Sequence, residues 1–306
     1  MLHVSASPHI RDRVTTRSVM LHVIIALVPV IVASFFIFGL AGPMLFVISA
    51  AASVGFEALS RVIMKREQTA GDLSALVTGL LLAASLPANT PLWVLITGNF
   101  VAIVVVKQMF GGLGDNFANP AVTARIVLFV SFTNQVATFS VAEKLPGIDL
   151  VTQATPLSGA AAPSFLDLFL GNHAGCIGET SIAALLVGGI FLLVTGIIDI
   201  WAPLTFIGTT VLFTWATGAD PLLHLMSGAL ILAAFFMVTD YVTTPTTLVG
   251  KIIFGVGAGL LTGLMRIYSP MPEGVSFAIL FMNILTPHIE RWTAPTALGG
   301  VKHAKK

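Results

Sequence analysis

The stretches LVTGLLLAA (Leu76 to Ala84) and LMSGALILA (Leu225 to Ala233) share Leu, Gly, Leu and Ala at the same places and set Thr78 against Ser227. Each runs into a proline-bearing break, PANTP with Pro87 and Pro91 after the first and TDYVTTPTT with Pro245 after the second. Proline removes an amide donor and clashes with the preceding turn, so a helix should stop at both places. Short apolar matches of this kind also arise by chance; their place in the chain is what gives this one meaning.

Apolar runs bounded by Gly, Pro and charge predict spans near residues 20–40, 43–64, 73–86, 91–109 and 119–133. After a polar interval come 181–198, 201–218, 222–239, 250–267 and 274–290. The matched stretches are the third span of each set of five, and an odd number of spans per repeat turns the second repeat upside down. The expected fold is an all-α polytopic membrane protein with about ten transmembrane helices in two inverted five-helix repeats. Its parts are a cytoplasmic N-terminal tail (1–19), a first repeat (20–133), an extracytoplasmic loop (134–180), a second repeat (181–290) and a cytoplasmic C-terminal tail (291–306). Matched, interrupted third spans point to a central site where freed backbone groups face a cofactor or an ion. A tight external turn after an ordinary helix is the alternative.

Composition agrees with the class. Of 306 residues, 56% are hydrophobic and 9% charged, whereas soluble domains carry about a quarter charged residues. A net charge of +1 without a dense basic face excludes a nucleic-acid partner. The single Cys176 leaves no disulfide, Cys-only iron–sulfur cluster or structural zinc site within the chain, and it reads as a small hydrophobe or loop thiol. Residues 1–19 are polar and basic before an apolar run long enough to span, which reads as a tail and first anchor rather than a cleaved signal. Arg61, Lys65 and Arg66 follow the second span and Arg291, Lys302, Lys305 and Lys306 end the chain, while 134–180 carries Glu143, Asp149, Asp167 and Glu179 against Lys144. The excess of positive charge marks the cytoplasmic side, so both termini are expected inside and the long loop outside.

Ionisable groups at membrane depth are costly and usually face a cavity or a partner. The candidates are Glu57, Lys107, Arg125, Asp199, His224, Asp240, Lys251 and Arg266, most of them near span ends where snorkelling is the ordinary explanation. Glu57 and Arg125 lie deepest. Glu57 is the candidate for an ion path, and Arg125 for holding a phosphate or an internal carboxylate; simple pairing competes with both. Gly111, Gly112 and Gly114 with Asp115, Asn116 and Asn119 lack the strand and the lysine–hydroxyl ending of a phosphate loop, and read better as close backbone packing before Pro120.

In the long loop lies DLVTQATPL (Asp149 to Leu157). Pro156 pushes Thr155 towards extended backbone and presents its hydroxyl on a loop; from physics alone this is a polar turn. Asp149, Thr152, Ala154 and Thr155 resemble the recognition motif of flavin transferases, with Gln153 where Gly is common. SPHIRDR (Ser7 to Arg13), FGGLGDNFANPA (Phe110 to Ala121) and PEGVSFAILFMNILTPHIER (Pro272 to Arg291) extend that likeness. Together they resemble the D subunits of Rnf electron-transport complexes and the related B subunits of sodium-pumping NADH:quinone reductases.

The resemblance implies a flavin-carrying subunit of an ion-translocating ferredoxin:NAD oxidoreductase in a bacterial or archaeal cytoplasmic membrane. It implies FMN bound covalently as a phosphoester to Thr155, placed there by a flavin transferase, with riboflavin or another noncovalent flavin as a second group. Electrons would pass through the flavin with coupling to Na+ or H+ translocation, in contact with lipid and with the other membrane, iron–sulfur and flavin subunits. The chain carries no iron–sulfur ligand set and no nicotinamide fingerprint, so it is not expected to be a complete enzyme alone. The competing class is a channel or solute transporter, which inverted repeats and broken spans suit equally; such a protein has no use for the acceptor motif.

Overall fold

A computed structural model describes residues 14–142, 150–153, 156–158, 164–269 and 274–295. The first helices are α1 (Thr16–Phe38), α2 (Ala41–Ile63), α3 (Ser74–Ala84), α4 (Leu92–Gln108) and α5 (Pro120–Ser131). A short α6 (Thr133–Val136) leads to strands β1 (Phe139–Ala142) and β2 (Leu150–Gln153), which pair antiparallel with Phe139 opposite Gln153 and Ser140 opposite Thr152. Then follow α7 (Phe165–Leu170), α8 (Ile182–Val194), α9 (Trp201–Ala216), α10 (Pro221–Met226), α11 (Leu230–Phe236), α12 (Leu248–Tyr268) and α13 (Val275–Thr293).

A helix stands at each place where the apolar runs predict a span. Three of them, α1, α2 and α12, are long and apolar enough by length and composition to cross a membrane. Their outward faces carry Phe36, Val62, Ile63 and Leu260 in the open, which in water would be an aggregation surface and in lipid is the ordinary solvent contact. Two expectations need correction. The described residues are not wholly α, because β1 and β2 pair in a short two-stranded sheet; Val151 and Thr152 are β-branched and suit a strand. The run 222–239 is not one helix but two, broken at Ser227–Ala229, with Gly228 in the left-handed region at φ +66°.

The core lies in the third elements. In α3 every residue but Leu76 is buried, and all of α11 is buried, as befits helices apolar all round. At about 1.5 Å per residue, the 11 residues of α3 cover about 16 Å, roughly half of a hydrocarbon core about 30 Å thick. Around them α2 packs on α3 and α4, and α9 on α11 and α12. The initial helices of the two sets, α1 and α8, pack on each other, as do the final ones, α5 and α13. At the first of these crossings Gly188 rests against the Ala26 carbonyl, a backbone approach that small residues permit between membrane helices.

Candidate functional site

The N-terminal end of α3 is held by charge. Asp72 Oδ1 accepts from the backbone N–H of Ser74 (2.7 Å) and from its hydroxyl (2.5 Å), capping the helix start. Lys107 Nζ donates to Ser74 Oγ at 2.6 Å and to both Glu57 carboxylate oxygens at 3.0 and 3.1 Å. Gln108 Nε2 (2.9 Å) and Thr69 Oγ1 (2.8 Å) also donate to Glu57 Oε1. Glu57, Lys107 and Gln108 are wholly buried. Residues 101–108 of α4 are wound as a π-helix, a rare winding that recurs at functional sites, and it ends in the two residues that reach Glu57. This is a compensated ion pair: Coulomb attraction and hydrogen bonds offset the cost of removing both charges from water.

In the second set of helices a cation again reaches the third element. Arg266 on α12 is buried and donates to the carbonyls of His224 and of Ser227, the latter at 2.9 Å, at the break between α10 and α11. Carbonyls released where a helix is interrupted need a donor, and the guanidinium supplies it.

A cleft opens between α1, α3, α8 and α11. Val23, Leu81 and Phe236 form apolar walls, and Asn116, Asn119 and Asp240 line its polar end. Asn119 Oδ1 caps α5 by accepting from Ala121 (3.0 Å) and Val122 (3.2 Å), and its Nδ2 donates to Asp240 Oδ2 at 3.3 Å. Its backbone N–H donates to Asn283 Oδ1 at 3.2 Å, tying α5 to α13. Burial pushes the Asp240 carboxyl up, opposed by hydrogen bonds from Thr243, Val242 and Asn119. Tyr241 is pushed up to about 12 by burial and then by the charges of Asp240 and Asp72, so its hydroxyl stays a donor. Asn116 Oδ1 is buried without a hydrogen-bond partner, an acceptor left for a ligand. Beside the cleft, Gly111, Gly112 and Gly114 have φ between +102° and +134°; Arg61 lies against Gly112 and Arg66 bonds the Gly111 carbonyl, close packing as expected, whereas Gly114 faces open space.

The C-terminal end of α3 is closed differently. The amides of Ile177 and Gly178 donate to the carbonyls of Leu86 (3.0 Å) and Ala84 (2.8 Å). The backbone groups freed at the first proline break are thus bonded to residues 172–181, not left to a cofactor. Gly178 fits because a Cβ there would collide with Ala84. In this segment Glu179 Oε1 accepts from the Cys176 amide at 2.8 Å, while Glu179 Oε2, Thr180 Oγ1 and both ring nitrogens of His173 are buried without a hydrogen bond. Burial lowers the His173 pKa; Glu179 and Asp167 oppose the shift, the Asp167 carbonyl lying near the ring without closing a bond in good geometry. Each unmade bond of this kind costs roughly 1–3 kcal/mol. Composition hid the segment, because its polar residues read as an ordinary loop.

Among the residues proposed for flavin attachment, Asp149, Ala154 and Thr155 lie outside the described residues, and Thr152 is in β2 opposite Ser140. The flanks are described: Phe139 packs on Ala174 and Cys176, and Leu157 lies against Gly228. Arg125 on α5 is buried and donates to Cys176 Sγ at 3.2 Å; Glu57 is at the other end of α3. The two deep charges singled out in the sequence therefore belong to different clusters. Asp199 and Lys251 pair with each other at the partly exposed end of a second cleft.

The sequence profile of the NQR2, RnfD, RnfE family matches residues 3–299. The D subunit of a Na(+)-translocating ferredoxin:NAD(+) oxidoreductase complex from Acetobacterium woodii is 44% identical, covering 100% of this chain and 98% of that one. The D subunit of a proton-translocating ferredoxin:NAD(+) oxidoreductase complex from Clostridium ljungdahlii is 38% identical over 97% and 96% of the two chains. The D subunit of an ion-translocating oxidoreductase complex from Salmonella newport is 35% identical over 98% and 99%. With a profile that covers nearly every residue and relatives aligned end to end, this chain belongs to the NQR2, RnfD, RnfE family.

Proposed function

We propose that this chain is the flavin-carrying membrane subunit of an Rnf complex, an ion-translocating ferredoxin:NAD oxidoreductase. The observation that carries the proposal is the sequence Asp149–Leu150–Val151–Thr152–Gln153–Ala154–Thr155 inside a chain aligned over its whole length with subunits of that name. Thr155 is the FMN acceptor through a phosphoester, while Asp149, Thr152 and Ala154 are read by the transferase. Bound FMN supplies reversible electron acceptance; the protein supplies binding, orientation and electrostatics. Arg125, the buried cation beside Cys176, is the side chain suited to a phosphate on that side. The cleft fits a second, noncovalent flavin: its apolar walls suit a flat ring, and Asn116 Oδ1 and Asp240 suit a ring N–H.

The ten spans would form two inverted five-span repeats in a bacterial or archaeal cytoplasmic membrane, both termini inside and the long loop outside. The paired packing of α1 with α8 and α5 with α13, and a buried cation reaching each third element, support that symmetry. Glu57 is the candidate for coupling. The relatives' names include both a sodium and a proton translocator, so the family does not fix the ion. Glu57→Gln should leave FMN attached and lower ion movement per electron in reconstituted vesicles; unchanged coupling makes Glu57 structural.

The deciding experiment is peptide mass spectrometry with in-gel flavin fluorescence on the chain produced alongside a flavin transferase. FMN is expected on the peptide containing Thr155, retained in part in Thr155→Ser, absent in Thr155→Ala, and never bonded at Thr152. Fluorescence that survives Thr155→Ala overturns the assignment. A preparation without flavin favours the channel or transporter class.

A further inference from the structure

We propose that the cationic turn closing α2, built by Arg61, Lys65 and Arg66 against Gly111 and Gly112, binds the phosphate of an anionic membrane phospholipid. Local backbone geometry makes the turn. The Arg66 amide donates to the Arg61 carbonyl at 2.9 Å and the Lys65 amide to the Val62 carbonyl at 3.1 Å, with Lys65 at φ +53°. This left-handed helix ending, usually given to glycine, brings the residue after it back to the last turn. Here it brings Arg66 to Arg61.

Both guanidinium groups then meet one loop. Arg66 Nη1 donates to the carbonyls of Gln108 (3.4 Å) and Gly111 (3.3 Å). Arg61 Nη2 fills the space that a Cβ on Gly112 would take, and Gly112 is held at φ +116°.

Arg61 is left unanswered. It is 9% exposed, its Nε is enclosed without a hydrogen bond, and its side chain donates to none of the described residues. Asp115, whose carboxylate lies at Gly111, and Glu67 are the neighbouring acids, and neither forms an ion pair with Arg61 or Arg66. A snorkelling arginine carries its head into water; a buried one is costly until an anion meets it. Among its side-chain nitrogens only Nε is both enclosed and unbonded, and Lys65 and Arg66 stand exposed beside it, so an anion arrives from the surface.

The surroundings select the anion. Val62 and Ile63 on α2 and Met109 and Phe110 after α4 are 65%, 71%, 64% and 53% exposed. Open apolar side chains next to clustered cations suit a molecule that carries both acyl chains and a phosphate. Guanidinium groups match phosphate oxygens in pairs, and Lys and Arg clusters at the end of a span attract anionic lipid. Free phosphate would leave the apolar surface unused, and a zwitterionic lipid brings its own cation.

The test uses the full chain in the assembled complex, with phosphatidylglycerol carrying a photoreactive group in its acyl chain and phosphatidylcholine carrying the same group. Peptide mass spectrometry should place crosslinks in 59–66 or 109–113, about tenfold more from phosphatidylglycerol. Arg61→Met should lower that signal to the phosphatidylcholine level and Arg61→Lys should keep part of it. Lys251→Ala, which removes a cation at the other cleft, should leave it unchanged. Folding is read separately from the thermal midpoint in detergent. Without lipid, Arg61→Met should keep or raise the midpoint, because an unanswered cation gives way to an apolar chain; added phosphatidylglycerol should raise the midpoint of wild type and not of the variant. An arginine that is merely structural would lower the midpoint with and without lipid, which overturns the proposal. Equal labelling by the two lipids also overturns it, as does labelling abolished by inorganic phosphate at matched concentration. Labelling of the isolated chain but not of the complex gives the cations to a partner subunit instead, and overturns it too.

Discussion

The two ends of α3 handle buried polarity in opposite ways. At the N-terminal end Glu57 meets Lys107, Gln108 and Thr69, and Lys107 meets Ser74. At the C-terminal end Glu179 has one oxygen bonded to the Cys176 amide and the other unbonded, beside an unbonded Thr180 hydroxyl and His173 ring. Paired charges hold helices together at the first end, with Gln108 Oε1 the atom left unbonded there; at the second end Glu179 Oε2 and Thr180 Oγ1 are left unbonded in a segment fixed by its backbone. The charges at the first end are answered within the chain, whereas at the second end a carboxylate oxygen and a hydroxyl are not.

The largest expected effect comes from breaking the paired charges. Lys107→Met strands a buried carboxylate and should destabilise the chain by about 3–5 kcal/mol, seen as a fall in the thermal midpoint in detergent. Adding Glu57→Gln should recover most of the loss; if the double variant is no better than the single one, the pair is not what that end of α3 depends on. Gly178→Ala comes next. Its methyl group meets Ala84, and relief by moving the segment off α3 should cost about 1–3 kcal/mol. Alkylation of Cys176, wholly buried in the same segment, should then quicken; an unchanged rate would show that the segment is not held at Gly178.

Glu179→Gln should be neutral or stabilise by about 1 kcal/mol, because a buried charged group with an unbonded oxygen is replaced by an uncharged one. A loss as large as that of Lys107→Met would erase the contrast between the ends. His173 adds a pH dependence. Its pKa is lowered from 6.5 by burial, so the unfolded chain takes up the proton first and the contribution of the neutral ring is present above about pH 6.5 and lost as pH falls below it. Exchange of the Ile177 and Gly178 amides, corrected for intrinsic rates, should rise on acidification in the wild-type chain and not in His173→Gln. The smallest effect is reserved for Lys251→Ala. Its partner Asp199 is 59% exposed, and such pairs contribute at most about 1 kcal/mol.

Much of this was legible in the sequence. Every predicted span holds a helix, and α3 ends at Ala84 just before Pro87, where ring geometry stops a helix; α11 ends at Phe236, well before Pro245. The interruption at Ser227–Ala229 was not foreseen: Gly228 matches Gly79, yet Gly79 stays helical in α3 while Gly228 takes a positive φ beside the Arg266 guanidinium. The same short motif thus takes different forms according to what presses on it.

Composition, hydropathy runs and proline placement act within one helix length, so the sequence alone determined the membrane class and the positions of the helices. The motif on which the proposed attachment rests was readable for the same reason, being seven contiguous residues. Tertiary structure alone decided that Glu57 is answered by a lysine 50 residues away, that Leu86 and Ala84 are capped by Ile177 and Gly178, and that Glu179 keeps an unbonded oxygen. Partners so far apart carry no local signature, because the cost of burying a charge depends on which groups surround it after the chain has packed.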